Sequence, residues 1–118
     1  MKLCRFNYFL KEDEKIIFYG ECRLKSITAF DILDKEGMLL ASDKRLVFCK
    51  IIGDHPHLID SYDYKYISSC DIKGDDENKY LYFKYNGDPV KIMGLDSSQF
   101  DKIMKLISLD CESYKINF

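Results

Sequence analysis

The stretch 37–51, GMLLASDKRLVFCKI, restricts what this chain can fold into more than any other. Two apolar runs, 38–41 and 46–51, are separated by Ser42-Asp43-Lys44-Arg45. Each run is too short for a helix, and the separator is polar and turn-prone, so the stretch reads as a tight β-hairpin. The segments on either side read as further strands, until one helix closes the sequence.

Strand periodicity begins at Lys15. Ile16, Phe18, Gly20, Cys22, Leu24 and Ser26 fall on one face, and Tyr19, Glu21, Arg23 and Lys25 on the other. A strand this long has to bend, and Gly20 is the position where a bend or bulge is expected. Residues 28–36 read as an acidic loop. After the central hairpin comes a turn at Gly53-Asp54-His55-Pro56, then strands at 57–64 and 67–73. A solvated acidic turn follows at 74–78, then a strand at 79–85. Asn86-Gly87 is a strong hairpin signal, because both residues tolerate positive φ, and a seventh strand returns at 89–94.

The closing helix is well marked. Asp96 is a good N-cap, Gln99 stands three residues on as in a capping box, and Leu95 and Phe100 occupy staple positions. Phe100, Ile103, Met104 and Ile107 form one apolar stripe. Residues 1–14 have roughly helical spacing at Phe6, Phe9 and Leu10, which suggests a short helix facing the body. The domain proper spans 15–111, and 112–118 reads as a tail.

Length and composition agree with a single domain. The chain has 118 residues, 47% hydrophobic and 14% aromatic, enough for a real core. A net charge of -2 provides no global field for nucleic acid or an anionic membrane. The five cysteines, Cys4, Cys22, Cys49, Cys70 and Cys111, are widely spaced and odd in number, as expected of reduced thiols in a cytoplasmic protein. The amino terminus lacks the pattern of a signal peptide, and no apolar run approaches the roughly 18–20 residues that span a bilayer.

Seven strands with short connections and one C-terminal amphipathic helix define a mainly β fold. The expected architecture is a strongly bent antiparallel sheet, or partly open barrel, capped by the helix. This is the element order of the pleckstrin-homology (PH) superfold. The string GMLLASDKRLVFCK resembles the hallmark hairpin of the short bacterial PH-like domains of the YokE-like group. DEKIIFYGEC at 13–22 is similar to that family's opening strand, and YKYISSCDIKG at 64–74 to its fifth. The resemblance covers roughly residues 13–110. It implies the fold and no catalytic activity, and implies no particular partner.

The residues offer four kinds of candidate site. Anionic-lipid binding needs converging cations, and the candidates are Arg23 and Lys25 on the first strand, with Lys44 and Arg45 in the hairpin turn. The loops expected beside Arg23 and Lys25 are acidic. Asp43 favours the hairpin turn, while Lys44 and Arg45 are expected to stay in water. A metal site at His55 and His57 has suitable ligands, but no third donor is obvious beyond Cys49. The chain has no phosphate loop, nucleophile elbow or HExxH, so no enzyme, cofactor or small-molecule substrate is expected. The tyrosines outnumber what a small barrel readily buries, so Tyr19, Tyr62, Tyr64 and Tyr82 are candidates for an interaction surface. The resulting expectation is a non-enzymatic module for protein–protein interaction or self-association. Attachment to an anionic membrane surface is the alternative, and nucleic acid is not expected as a partner.

Overall fold

In a computed structural model, residues 10–116 are described, with side chains described through residue 108. Seven strands form one antiparallel sheet: β1 (Ile16–Ile27), β2 (Ile32–Ser42), β3 (Arg45–Ile52), β4 (His55–Asp63), β5 (Ile67–Lys73), β6 (Tyr80–Tyr85) and β7 (Asp88–Met93). Their order across the sheet is β4-β3-β2-β1-β7-β6-β5. The long strand β1 pairs with β2 along its length and with β7 through Arg23–Ser26, so the sheet turns its corner there. One helix, α1 (Ser97–Ile116), follows β7. It packs against β5 and a single 3-10 turn at Tyr64–Tyr66, where the bent sheet is open.

Alternation along β1 decides which side faces the core. Cys22, Leu24 and Ser26 are buried, while Arg23, Lys25 and Ile27 are exposed. The main core adds Leu39, Ala41, Leu46, Phe48, Leu81, Phe83 and Ile92 from the sheet to Phe100, Ile103 and Ile107 from α1. Phe100 and Ile103 are fully buried and Met104 partly so, as the helical stripe predicts. A second, smaller apolar cluster of Met38, Leu40, Val47 and Cys49 occupies the other face of the β2–β3 hairpin. That two-sided burial explains why both strands read as continuous apolar runs.

The helix start is built as its sequence indicates. The Gln99 amide donates to Asp96 Oδ1 at 2.8 Å, and the Asp96 amide donates to Gln99 Oε1 at 3.0 Å. At the β6–β7 turn, Asn86 and Gly87 have φ of 51° and 90°, the twist that a two-residue hairpin needs.

Three expectations are corrected. Residues 28–36 are not a loop. Thr28 to Asp31 make the turn, the Thr28 hydroxyl accepting from the Phe30 and Asp31 amides, and β2 begins at Ile32. The irregularity in β1 lies between Ile16 and Phe18, not at Gly20. Gly20 instead lets the helix start come close, since a Cβ there would stand 2.6 Å from Gln99 Nε2. The helix runs on to Ile116, through most of the segment read as a tail. The helix expected in residues 1–14 falls largely outside the described residues; residues 11–14 form a turn in which the Glu14 amide donates to the Lys11 carbonyl.

Candidate functional site

The hairpin turn 42–45 is a locking device and not a cation cluster. Glu14 and Arg45 are buried, the Glu14 side chain completely, and they pair through Arg45 Nε to Glu14 Oε2 at 3.0 Å and Nη2 to Oε1 at 3.1 Å. The Ser42 hydroxyl donates to the same carboxylate, and it accepts from the Lys44 and Arg45 amides. Burial alone would push the Glu14 carboxyl up, but Arg45, Ser42 and the Lys11 amide hold it below its ordinary value. Lys15 and Asp43 close the arrangement, each backbone amide reaching an oxygen of the other residue at 3.0 Å. Arg45 is therefore not in water, and its charge is already paired. Lys44 remains exposed.

The tyrosines divide between core and wall. Tyr62 and Tyr64 are only 2% and 1% exposed, which removes them from any interaction surface. The Tyr62 hydroxyl donates to Asp60 Oδ2 at 3.0 Å, and its ring meets Tyr85 edge-on with centroids 5.1 Å apart. Tyr64 sits under the central hairpin, its hydroxyl donating to the Ser42 carbonyl at 2.6 Å. Both phenols thus found partners inside, the condition on which burying them depends. Tyr19 is 41% exposed and Tyr82 half-buried, both on the outer side of the sheet.

The cations on β1 are unequal. Arg23 Nε donates to Asp34 Oδ1 at 2.8 Å, and Glu36 stands 3.6 Å from the same guanidinium. That hydrogen bond and charge hold the Asp34 carboxyl below its ordinary range, so Arg23 is already neutralised by its own hairpin. Lys25 lies opposite Asp34 on one side and Lys91 of β7 on the other. With Lys73, Lys91, Tyr80, Tyr82, Ile27 and Pro89 it lines a groove of about 380 Å³ on the outer wall. Lys91 Nζ stands 4.3 Å from the Tyr80 ring centre and Lys73 Nζ 4.6 Å from that of Tyr82, so both ammonium groups lie against aromatic faces. Lys73 and Lys91 carry no site signal in the sequence, because only strand register sets them beside Lys25.

The groove ends near an apolar prong. Ile27 and Ile32 face each other across the β1–β2 hairpin and are 44% and 62% exposed, and Phe30 at its tip is 98% exposed. Antiparallel order places the β1–β2, β3–β4 and β6–β7 turns on the same side of the sheet. Ile52 and Leu58, 57% and 49% exposed, add apolar surface at the β3–β4 hairpin.

His55 and His57 both lie in β4, two residues apart and exposed, so they share a face. The possible third donor, Cys49, is fully buried. Among the described residues, no group of three or more His, Cys, Asp or Glu side chains is placed to hold a metal ion. No helix among them is long and apolar enough to cross a membrane.

A bent seven-stranded antiparallel sheet with its open side closed by a C-terminal helix is a PH-type fold. The sequence matches the bacterial PH domain family over residues 10–108, and the chain belongs to that family, one of generally non-catalytic binding modules. Solved structures similar to it lie at low identity. A Vav1 structure with an allosteric inhibitor gives a TM-score of 0.60 at 17% identity, covering 80% of this chain and 26% of that one. The complex of human RhoA with the DH/PH fragment of PDZRHOGEF gives 0.60 at 15% identity, covering 87% of this chain and 30% of that one. The C-terminal domain of a protein of unknown function from Leishmania infantum gives 0.58 at 15% identity, covering 88% and 92%. The chain thus spans about a quarter of the Vav1 chain, and these likenesses show the fold alone. No curated protein matches the sequence significantly.

Proposed function

We propose that this PH domain is a non-enzymatic, cytoplasmic protein-recognition module, contacting its partner through the outer wall around the β1–β2 hairpin. The observation that carries this reading is the prong of Ile27, Phe30 and Ile32, with Phe30 98% exposed. A contiguous group of large apolar side chains in water marks a surface that is covered in use. Tyr19 and Tyr82 lie on the same outer side of the sheet, whereas Tyr62 and Tyr64 do not contribute.

The test pairs light scattering across a concentration series with affinity capture from lysate, on the parent and on Phe30→Ser. The reading expects an oligomer or a captured protein that Phe30→Ser loses while keeping its fold. A parent that stays monomeric and captures nothing the variant fails to capture refutes it. Attachment to an anionic membrane is the second reading, favoured by the proximity of Lys25 and Lys91 to that prong. It loses Arg23, which Asp34 and Glu36 occupy. Failure to sediment with anionic vesicles at low salt would end it.

A further inference from the structure

The β2–β3 hairpin is buried on both faces, yet the described residues supply a covering layer for only one of them. Leu39, Ala41, Leu46 and Phe48 face the main core. On the other side Leu40, Val47 and Cys49 are no more than 1% exposed, and Met38 is 8% exposed. Burial this complete needs a second layer over the sheet. Among the described residues, those packed against the cluster are Ile16 and Ile51, which stand in the same sheet and border the cluster without roofing it. Pro56, cross-strand from Ile51 at the far end of the face, is buried as well. Helix α1 is not the cover, because its stripe of Phe100, Ile103 and Ile107 fills the main core on the inner side of the bend.

The chain entering β1 points to what is. Glu14 is fixed on the turn between β2 and β3 by Arg45 and Ser42, and the Lys15 amide is fixed there by Asp43. A turn at 11–14 changes the direction of the chain at that anchor, and half-buried Leu10 stands only four residues ahead of Glu14. Residues 1–9, MKLCRFNYF, carry Leu3, Phe6, Tyr8 and Phe9 and no acidic group. Nine extended residues reach about 30 Å. The eight residues of β3 span about 26 Å, so this segment is long enough to cross the whole face.

We propose that residues 1–9 lie across the outer face of β2 and β3 as a strap, with Leu3, Phe6 and Phe9 packed on Met38, Leu40, Val47 and Cys49. Tethering selects this occupant over a second copy or a foreign protein. A segment anchored beside the face meets it at a high local concentration, which a separate molecule lacks. The Glu14–Arg45 pair then has a second role, as the clasp that holds the end of the strap on the hairpin. The strap withdraws this face from partners and leaves the β1–β2 prong outside it.

Two measurements on the full-length chain test this. In the first, p-benzoylphenylalanine replaces Phe6, the protein is irradiated and the products are mapped by mass spectrometry. Cross-links within one chain to residues 38–49 are expected. Cross-links to α1 or to a second copy, or none at all, overturn the inference. The second is alkylation by iodoacetamide in Phe6→Ser/Phe9→Ser. Cys49 is expected to react roughly tenfold faster or more than in the parent, while Cys22 in the main core stays protected. A Cys49 rate equal to the parent's overturns the inference. If Cys22 reacts as well, the variant has unfolded and the cross-link map decides. Phe30→Ser changes neither readout, so this inference and the recognition reading fail separately.

Discussion

Arg45→Met removes the cation from a carboxylate whose side chain is completely buried. Methionine keeps much of the aliphatic volume, so the loss is electrostatic more than steric. The guanidinium's hydrogen bonds to an ionised group disappear, among them those at 3.0 and 3.1 Å, while the Ser42 hydroxyl and the Lys11 amide still reach Glu14. Stranding one partner of a buried pair costs about 3–5 kcal/mol, and the two surviving donors put this case near the lower end, at about 3 kcal/mol. At this chain size that lowers Tm by about 12 °C. The pH dependence identifies the cause. In the parent, the folded Glu14 carboxyl lies below its ordinary value of 4.5, so its stabilising effect is present above that value and is lost as pH falls through the folded pKa. In Arg45→Met, burial without the guanidinium raises the carboxyl, and the deficit against the parent should shrink once acid neutralises Glu14. Urea unfolding of both proteins at neutral and acidic pH measures this. A deficit under about 1 kcal/mol at neutral pH, or one that does not shrink with acid, refutes the assignment of the pair as the lock on the central hairpin.

Further outcomes are expected at single positions. Gly37→Ala should destabilise by about 2 kcal/mol in urea unfolding, because the new methyl would lie 2.5 Å from the Cys49 carbonyl oxygen, on a backbone held by β3. Gly87→Ala meets no neighbour but must adopt a φ of 90°, and should cost about 1 kcal/mol in the same assay. Asp96→Ala should speed hydrogen exchange at the Gln99 amide, which donates to the Asp96 carboxylate, without altering exchange in the sheet. Burial pushes the Cys22 thiol up to about 12 and the Cys49 thiol to about 11. Neither should take up iodoacetamide in the native state at mildly alkaline pH, whereas partly exposed Cys70 should react first of the three, as peptide mapping would show.

The elements themselves were legible because their signals are local. Asn86-Gly87, Asp96 with Gln99, and the apolar runs around residues 42–45 depend on residues within a few positions, and each stands where local chemistry puts it. The family could also be read this way, since element order and the hairpin string are properties of the chain. Charge was the least legible. Arg45 in a polar turn resembles a solvated residue until Glu14, 31 positions earlier, is brought beneath it. Acidic neighbours for Arg23 were legible in residues 28–36, but only the β1–β2 register sets Asp34 and Glu36 directly beside its guanidinium. The tyrosines followed the same rule: Tyr62 and Tyr64 are core because Asp60 and the Ser42 carbonyl satisfy their hydroxyls, partners that periodicity does not reveal. Local pattern therefore determined most strands, the tight turns and the start of the helix, which are short-range choices of backbone and burial, but it missed the strand from Ile32 and the helix end at Ile116. Only the tertiary structure decided which charges are neutralised, which rings are buried, and that Lys25, Lys73 and Lys91 line one groove, since these depend on strand register and the bend of the sheet.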